Sequence, residues 1–147
     1  MAPSLEERLQ SLLDTEEIRN LLLDYGITLD RRDLLAYSRL FAKQGSWTGP
    51  FVGSATGPDA ILELLEEKLS PHVADSAGAH HLMTNMRISV SGDRATAWSR
   101  WTYVVPGLKR EPTLLLSGHY DDELVREEGR WRFLARVVHG DLPGVDE

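Results

Sequence analysis

Apolar side chains recur at helical spacing along the first part of the chain, at Leu5, Leu9, Leu12, Leu13, Ile18, Leu21, Leu22 and Tyr25, and the recurrence falters only around Asp14-Thr15. A cap or short turn is expected there, followed by a second helix from about Thr15 to Leu29. Leu34, Leu35, Tyr37, Leu40 and Phe41 then repeat the pattern behind Asp33, whose carboxylate suits an N-cap, so a short helix follows Asp30. GSWTGPFVGSATG mixes turn residues with Trp47, Phe51 and Val52 and predicts a short strand or hairpin. Gly57-Pro58-Asp59 opens another helix, carrying Ile61, Leu62, Leu64, Leu65 and Leu69, which Pro71 ends.

After the loop HVADSAGA the period changes from helical to alternating. Strands are predicted over roughly His81 to Ser91, Ala95 to Val105, Leu114 to Val125 and Arg130 to His139. Ser91-Gly92-Asp93 and Glu127-Glu128-Gly129 are tight-turn signals between β-formers, so neighbouring strands should be antiparallel. Helices first and a meander afterwards is the α+β arrangement, with helices on one face of a mainly antiparallel sheet. No repeat, low-complexity tract or boundary interrupts it, and residues 1–147 read as one domain.

Alternation also sorts side chains onto faces. In HYDD, Tyr120 and Asp122 share one face and His119 and Asp121 the other. On the last strand Arg132, Leu134, Arg136 and Val138 fall together, opposite Trp131, Phe133, Ala135, Val137 and His139. The second set is the more apolar and is expected to pack on helices or on a partner subunit.

Composition removes several chemistries. With no cysteine there is no disulfide, thiolate zinc site, iron–sulfur cluster or cysteine nucleophile. The net charge of −7 and the scattering of the basic residues disfavour a nucleic-acid partner, and acidity here serves solubility. MAPSLEERLQSLLD lacks the basic flank and apolar run of a signal peptide, and no apolar run approaches the ~20 residues of a membrane span, so a cytoplasmic location is expected. Neither GxSxG nor GxGxxG nor a GK[ST] motif occurs, which leaves serine hydrolases and nucleotide enzymes unsupported. Proton transfer by an oriented histidine remains, and it requires neither metal nor coenzyme.

Asp30 and His81 are the pair of interest: a carboxylate closing a helix and an imidazole at the mouth of a strand. Brought together they would make a carboxylate-oriented base; apart, Asp30 would cap the next turn with Arg31 and Arg32 for partners, and His81 would be a hydrogen-bonded structural residue. Only one of His80 and His81 can face the inner side, and their alternation gives no metal site. Tyr25 precedes Asp30 by five residues, which on a regular helix is about 140° around the axis, so the two share a face only if the helix bends or ends first. Asn85 shares the face of His81 on an unbroken strand and would polarise a substrate oxygen, or else bridge backbone groups at a bulge. Arg136 would anchor an anion or oxygen in a cavity, or pair with a nearby acid. Of the four tryptophans, Trp47 is the pocket candidate, because its surroundings are loop-like.

YGITLDRRD, LFAKQGSW, the GPDAI helix start, HHLMTN, ISVSGDRATA and SGHYDDELVREEGRWRFLAR together resemble the SnoaL-like branch of the NTF2-like superfamily, over about Glu17 to Gly140. That resemblance implies a cone-shaped α+β barrel, a curved sheet wrapped around helices with a pocket inside. It also implies a cofactor-independent lyase like bile-acid 7α-dehydratase, scytalone dehydratase and hexachlorocyclohexane dehydrochlorinase, with a dyad on His81 and Asp30. Tyr25, five before the aspartate, matches a tyrosine of the bile-acid enzyme, and Trp47 a pocket tryptophan of the dehydrochlorinase. Arg136, in W-x-x-x-x-R, matches an active-site arginine, and Tyr120 falls where an aromatic pocket residue would lie. The second histidine of scytalone dehydratase has no counterpart between Leu82 and Gly118.

The expectation is therefore a dehydratase-like elimination on a small hydrophobic ring substrate, steroid-like or polyketide-like, with no cofactor and no metal. Catalysis is assigned to Asp30, His81 and Tyr25, and substrate binding to Trp47, Asn85, Tyr120 and Arg136. An isomerase of the ketosteroid-isomerase type and a non-catalytic binding or assembly module are the alternatives. A homo-oligomer, dimer or trimer, is expected through an outer sheet face carrying Trp131, Phe133 and Val137.

Overall fold

A 26-residue helix, α1 (Leu5–Asp30), begins at a complete capping box: Ser4 Oγ accepts from the Glu7 amide at 3.1 Å, and the Glu7 carboxylate accepts from the Ser4 amide at 2.6 Å. The computed structural model describes residues 1–50, 52–68 and 77–144. The break expected at Asp14-Thr15 does not occur. Thr15 Oγ1 donates to the Ser11 carbonyl of the preceding turn at 2.8 Å, so its hydroxyl is satisfied within a continuing helix. Asp14 is buried and accepts from Trp131 Nε1, Arg126 Nη2 and Gln10 Nε2 at 3.1, 2.9 and 3.1 Å. Its carboxylate anchors the helix to the last strand and caps nothing. Leu5, Leu9, Leu12 and Leu13 remain exposed, and burial along α1 starts at Asp14.

The helix ends where the sequence suggested, by a mechanism local to Arg31-Arg32-Asp33. Arg32 takes a positive φ of 60°, its amide donates to the Leu29 carbonyl, and the Asp33 amide reaches back to Thr28 at 2.9 Å. This double bond pattern closes the last turn. Asp33, not Asp30, then caps α2 (Leu34–Ser38), accepting from the Ala36 amide at 3.0 Å. Asp30 is left as the last helical residue with its carboxylate free for a tertiary partner.

The hairpin of β1 (Phe41–Gly49) and β2 (Gly53–Thr56) follows, then α3 (Pro58–Lys68). Phe51, Leu69 and the stop expected at Pro71 lie outside the described residues. Four long strands complete the chain: β3 (His80–Ser91), β4 (Arg94–Pro106), β5 (Pro112–Glu127) and β6 (Arg130–Leu142). The sheet order is β2-β1-β6-β5-β4-β3, antiparallel throughout except for the parallel pair of β1 with β6. It is open, with β2 and β3 as its edges, and α1 packs on its inner face against β3 and β6. The core between them is built from Ile18, Leu21, Leu22 and Tyr25 of α1, Ile61 and Leu65 of α3, and inward residues of the strands such as Phe41, Trp101, Leu124 and Phe133.

Two of the sheet's register shifts decide where expected site and interface residues point. In β3 the register slips between Thr84 and Arg87, where Asn85 has φ of 53°. In β6 the partner of Glu123 is Ala135 while the partner of the next residue, Leu124, is Phe133. The extra residue in β6 reverses the phase, so Trp131 and Phe133 point inward together with Arg136 and Val138. An outer oligomer face built on Trp131 and Phe133 is therefore ruled out; both lie in the monomer core. Among the described residues no helix is long and apolar enough to cross a membrane.

Candidate active site

Gly26 and Asp30 stand one turn apart on the face of α1 that meets β3. A Cβ on Gly26 would sit 3.3 Å from Met83 Cγ and 3.9 Å from His81 Cβ, so the missing side chain permits the close approach of helix to strand. That approach delivers Asp30 to His81. Asp30 Oδ1 lies 2.6 Å from His81 Nδ1, and the same carboxylate accepts from the His81 backbone amide at 3.0 and 3.2 Å. Both side chains are mostly covered, with 20% of Asp30 and 15% of His81 exposed. With its Nδ1 proton donated to the carboxylate, the ring presents Nε2 as its basic nitrogen. The imidazole packs on Tyr103 at 4.7 Å and on Trp101 at 6.3 Å between centroids.

Asp30 and His81 also line a groove of about 260 Å³ along the seam of α1 and β3, walled by Leu23, Ile27, Leu82 and Met83. His80 takes the other strand face, exposed, with Nδ1 2.8 Å from the Gly78 carbonyl.

Tyr25, Trp47, Tyr120 and Arg136 form a second cluster, fully buried and centred on Tyr25. Trp47 Nε1 donates to Tyr25 Oη at 2.9 Å, leaving the tyrosine's own proton to be donated elsewhere. The rings of Tyr37, Tyr120 and Phe133 lie 4.6, 5.4 and 5.8 Å from that of Tyr25. The Arg136 guanidinium sits 4.0 Å from the Tyr25 ring, 3.8 Å from Tyr120 and 4.3 Å from Phe133. Its Nε and Nη2 both donate to Asp122 at 2.7 Å. The alternative expected for Arg136, a salt bridge to a nearby acid, is thus realised. Burial opposes its charge, but the Asp122 carboxylate outweighs burial and raises the guanidinium pKa, so it stays cationic. Burial pushes the Asp122 carboxyl up, against the pull of Arg136.

Burial likewise drives the Tyr37 and Tyr120 hydroxyls well above the ordinary tyrosine value, which keeps both neutral. For Tyr120 the charges of Tyr25, Asp122 and Asp30 add to the effect of burial, and Arg136 opposes it. Trp101 joins them in space, 6.3 Å from the His81 ring and 6.2 Å from the Tyr120 ring.

Among the described residues four buried polar atoms lack a partner: Tyr37 Oη, Ser99 Oγ, Trp101 Nε1 and Arg136 Nη1. An unpaired buried donor is costly, about 1–3 kcal/mol, so these atoms mark positions where a polar group is wanted. Tyr37, Ser99 and Trp101 were not singled out in the sequence; the small inward residues Ala95 and Ala97, in phase with Ser99 and Trp101, were the available signal. Asn85 stands at a bulge, the second of the two positions expected for it, and off the face of His81. The β3 bulge places it in the left-handed region and exposed, while Met86 packs against the core in its stead.

A family model described as a SnoaL-like domain matches residues 10–137. The chain is 25% identical over 129 residues to a gamma-hexachlorocyclohexane dehydrochlorinase of Sphingobium indicum, covering 87% of this chain and 81% of that protein. An NTF2-like protein of cystatin-like fold from Novosphingobium aromaticivorans superposes with a TM-score of 0.83 at 25% identity, over 99% of this chain and 95% of the other. A hexachlorocyclohexane dehydrochlorinase from Novosphingobium barchaimii has the same fold, with a TM-score of 0.77 at 22% identity over 95% and 97% of the two chains.

Proposed function

The chain belongs to the SnoaL-like domain family, and from that premise we propose that it is a lyase whose general base is His81, oriented by Asp30, acting on a small hydrophobic ring substrate. The observation that carries the reading is the 2.6 Å contact between Asp30 Oδ1 and His81 Nδ1 in a partly covered groove. The elimination reading is supported by the likeness to a gamma-hexachlorocyclohexane dehydrochlorinase.

His81 Nε2 takes the proton from a ring carbon. The electrons of that C–H bond form the new C=C bond, and the leaving group departs from the neighbouring carbon with the pair of the broken bond. Asp30 holds the Nδ1–H tautomer and stabilises the imidazolium that forms. The substrate ring lies in the groove walled by Leu23, Ile27, Leu82 and Met83. Trp101, packed against both the His81 and the Tyr120 rings, links the dyad to the buried cluster of Tyr25, Trp47, Tyr120 and Arg136, which backs the site.

The test is a screen of chlorinated and hydroxylated ring compounds, with products read by mass spectrometry for the wild type and His81→Ala. Loss of hydrogen chloride or water in the wild type, absent in a folded His81→Ala, is the expected result. A product of unchanged mass would make the enzyme an isomerase. Full turnover by a folded His81→Ala would remove the dyad from the mechanism, and binding without turnover would leave a ligand-binding module.

A further inference from the structure

The opposite face of the sheet carries a second histidine cluster that the proposed lyase chemistry does not use. His119 of β5 and His139 of β6 are register partners on adjacent antiparallel strands, so their side chains project from the same face. Their rings stack with centroids 4.4 Å apart and an interplanar angle of 9°. Asp121, two residues beyond His119 on β5, projects beside them. Its Oδ2 lies 3.0 Å from His139 Nε2 and 3.8 Å from His119 Nε2.

We propose that His119, Asp121 and His139 form a binding site for a divalent transition-metal cation such as zinc. One ligand atom from each of the three lies within 4.8 Å of the others. A cation bound at about 2.0–2.2 Å from each would draw these atoms to roughly 3–3.5 Å apart, a contraction of about an ångström. Asp121 and His139 are half exposed and have the freedom to make it. Two imidazoles and one carboxylate leave coordination positions for water, and a groove of about 470 Å³ that Asp121 shares with Arg87, Ser89, Trp98 and Glu123 opens beside them.

A further contact prepares the site. His119 Nδ1 donates to both oxygens of Asp141, at 2.9 and 3.0 Å, so the proton is held on Nδ1 and Nε2 is left with its lone pair toward Asp121 and His139. Carboxylates behind metal-bound histidines hold them in this way. Arg100 donates to Asp141 at 3.2 Å and fixes the carboxylate, and Trp98 stacks on the His119 ring at 5.6 Å. The formal charges of Asp121, Asp141 and Arg100 sum to one negative charge at the cluster, which suits a cation.

Titration calorimetry of the untagged, chelator-treated full chain with zinc chloride tests the site. One equivalent is expected to bind, with binding lost in His119→Ala and in His139→Ala and retained in His81→Ala. Asp141→Asn should weaken it by about 10- to 100-fold. In the wild type, zinc should shift the imidazole resonances of His119 and His139 and leave those of His81 in place, a readout that needs no variant. Absence of zinc binding by the wild type, binding that survives in folded His119→Ala and His139→Ala, or shifts confined to other histidines would overturn the proposal. None of these outcomes depends on the lyase reading.

Discussion

Asp30 holds His81 twice, through the ring Nδ1 and through the backbone amide of the same residue. One carboxylate therefore ties the end of α1 to the start of β3 and also sets the imidazole tautomer. The two duties separate on substitution. Asp30→Asn keeps an oxygen for the backbone amide, but its NH₂ faces Nδ1 and forces the proton onto Nε2, the nitrogen required as base. Turnover should fall by about 10²- to 10⁴-fold with little change in melting temperature. Asp30→Ala should lose turnover and also about 1–3 kcal/mol of stability, measured by urea denaturation.

Gly26 governs the same contact through the close approach of its backbone to β3. Because a single Cβ already meets Met83 at 3.3 Å, Gly26→Leu must push α1 away from β3. A destabilisation of about 1–3 kcal/mol is expected. Turnover should drop along with it although both dyad residues are intact, whereas Gly26→Ala, which Met83 can accommodate by a small shift, should retain most activity.

Arg136 and Asp122 are both fully buried and joined by two 2.7 Å bonds. Removing either one strands the other charge in the core. Arg136→Met and Asp122→Asn should each cost about 3–5 kcal/mol in chemical denaturation, and the double replacement by apolar residues should cost less than the sum of the singles.

Asp14 makes stability depend on pH at the acid end. Burial alone would raise its carboxyl, but the bonds from Trp131, Arg126 and Gln10 prevail and lower it from 3.8. A carboxyl with a folded value below its unfolded one stabilises the fold above the unfolded value, and that contribution disappears as pH falls below 3.8 through the folded value. Melting temperatures from pH 7 down to pH 2 should therefore fall more steeply below pH 4 for the wild type than for Asp14→Asn. Equal slopes would show that Asp14 does not contribute this dependence.

Much of this architecture is carried by short-range pattern. The helical spacing of Ile18, Leu21, Leu22 and Tyr25, the cap at Asp33, the hairpin around Trp47 and the four alternating strands are all local properties of the backbone and its neighbours, and the structure reproduces them within a few residues, although Phe41, expected in the short helix, opens β1. Asp30 and His81 stood out for a similar reason: each is a polar group at the end of an element. The misread positions depend on distant partners. The carboxylate of Asp14, which looked like a helix breaker, is held by Trp131 from the far end of the chain.

The sequence by itself determined the elements, their order and the face-to-face split of His119 and Asp121 from Tyr120 and Asp122, because these follow from periods of 3.6 and 2 along a single segment. Only the tertiary structure decided which phase each strand keeps past a bulge: one extra residue in β6 turned Trp131 and Phe133 inward, and the slip in β3 exposed Asn85. The tertiary structure also separated the expected site residues into a dyad on the seam of α1 and β3 and a buried cluster around Tyr25. Strand pairing set His139 against His119, twenty residues away in the chain, and no linear period records that distance.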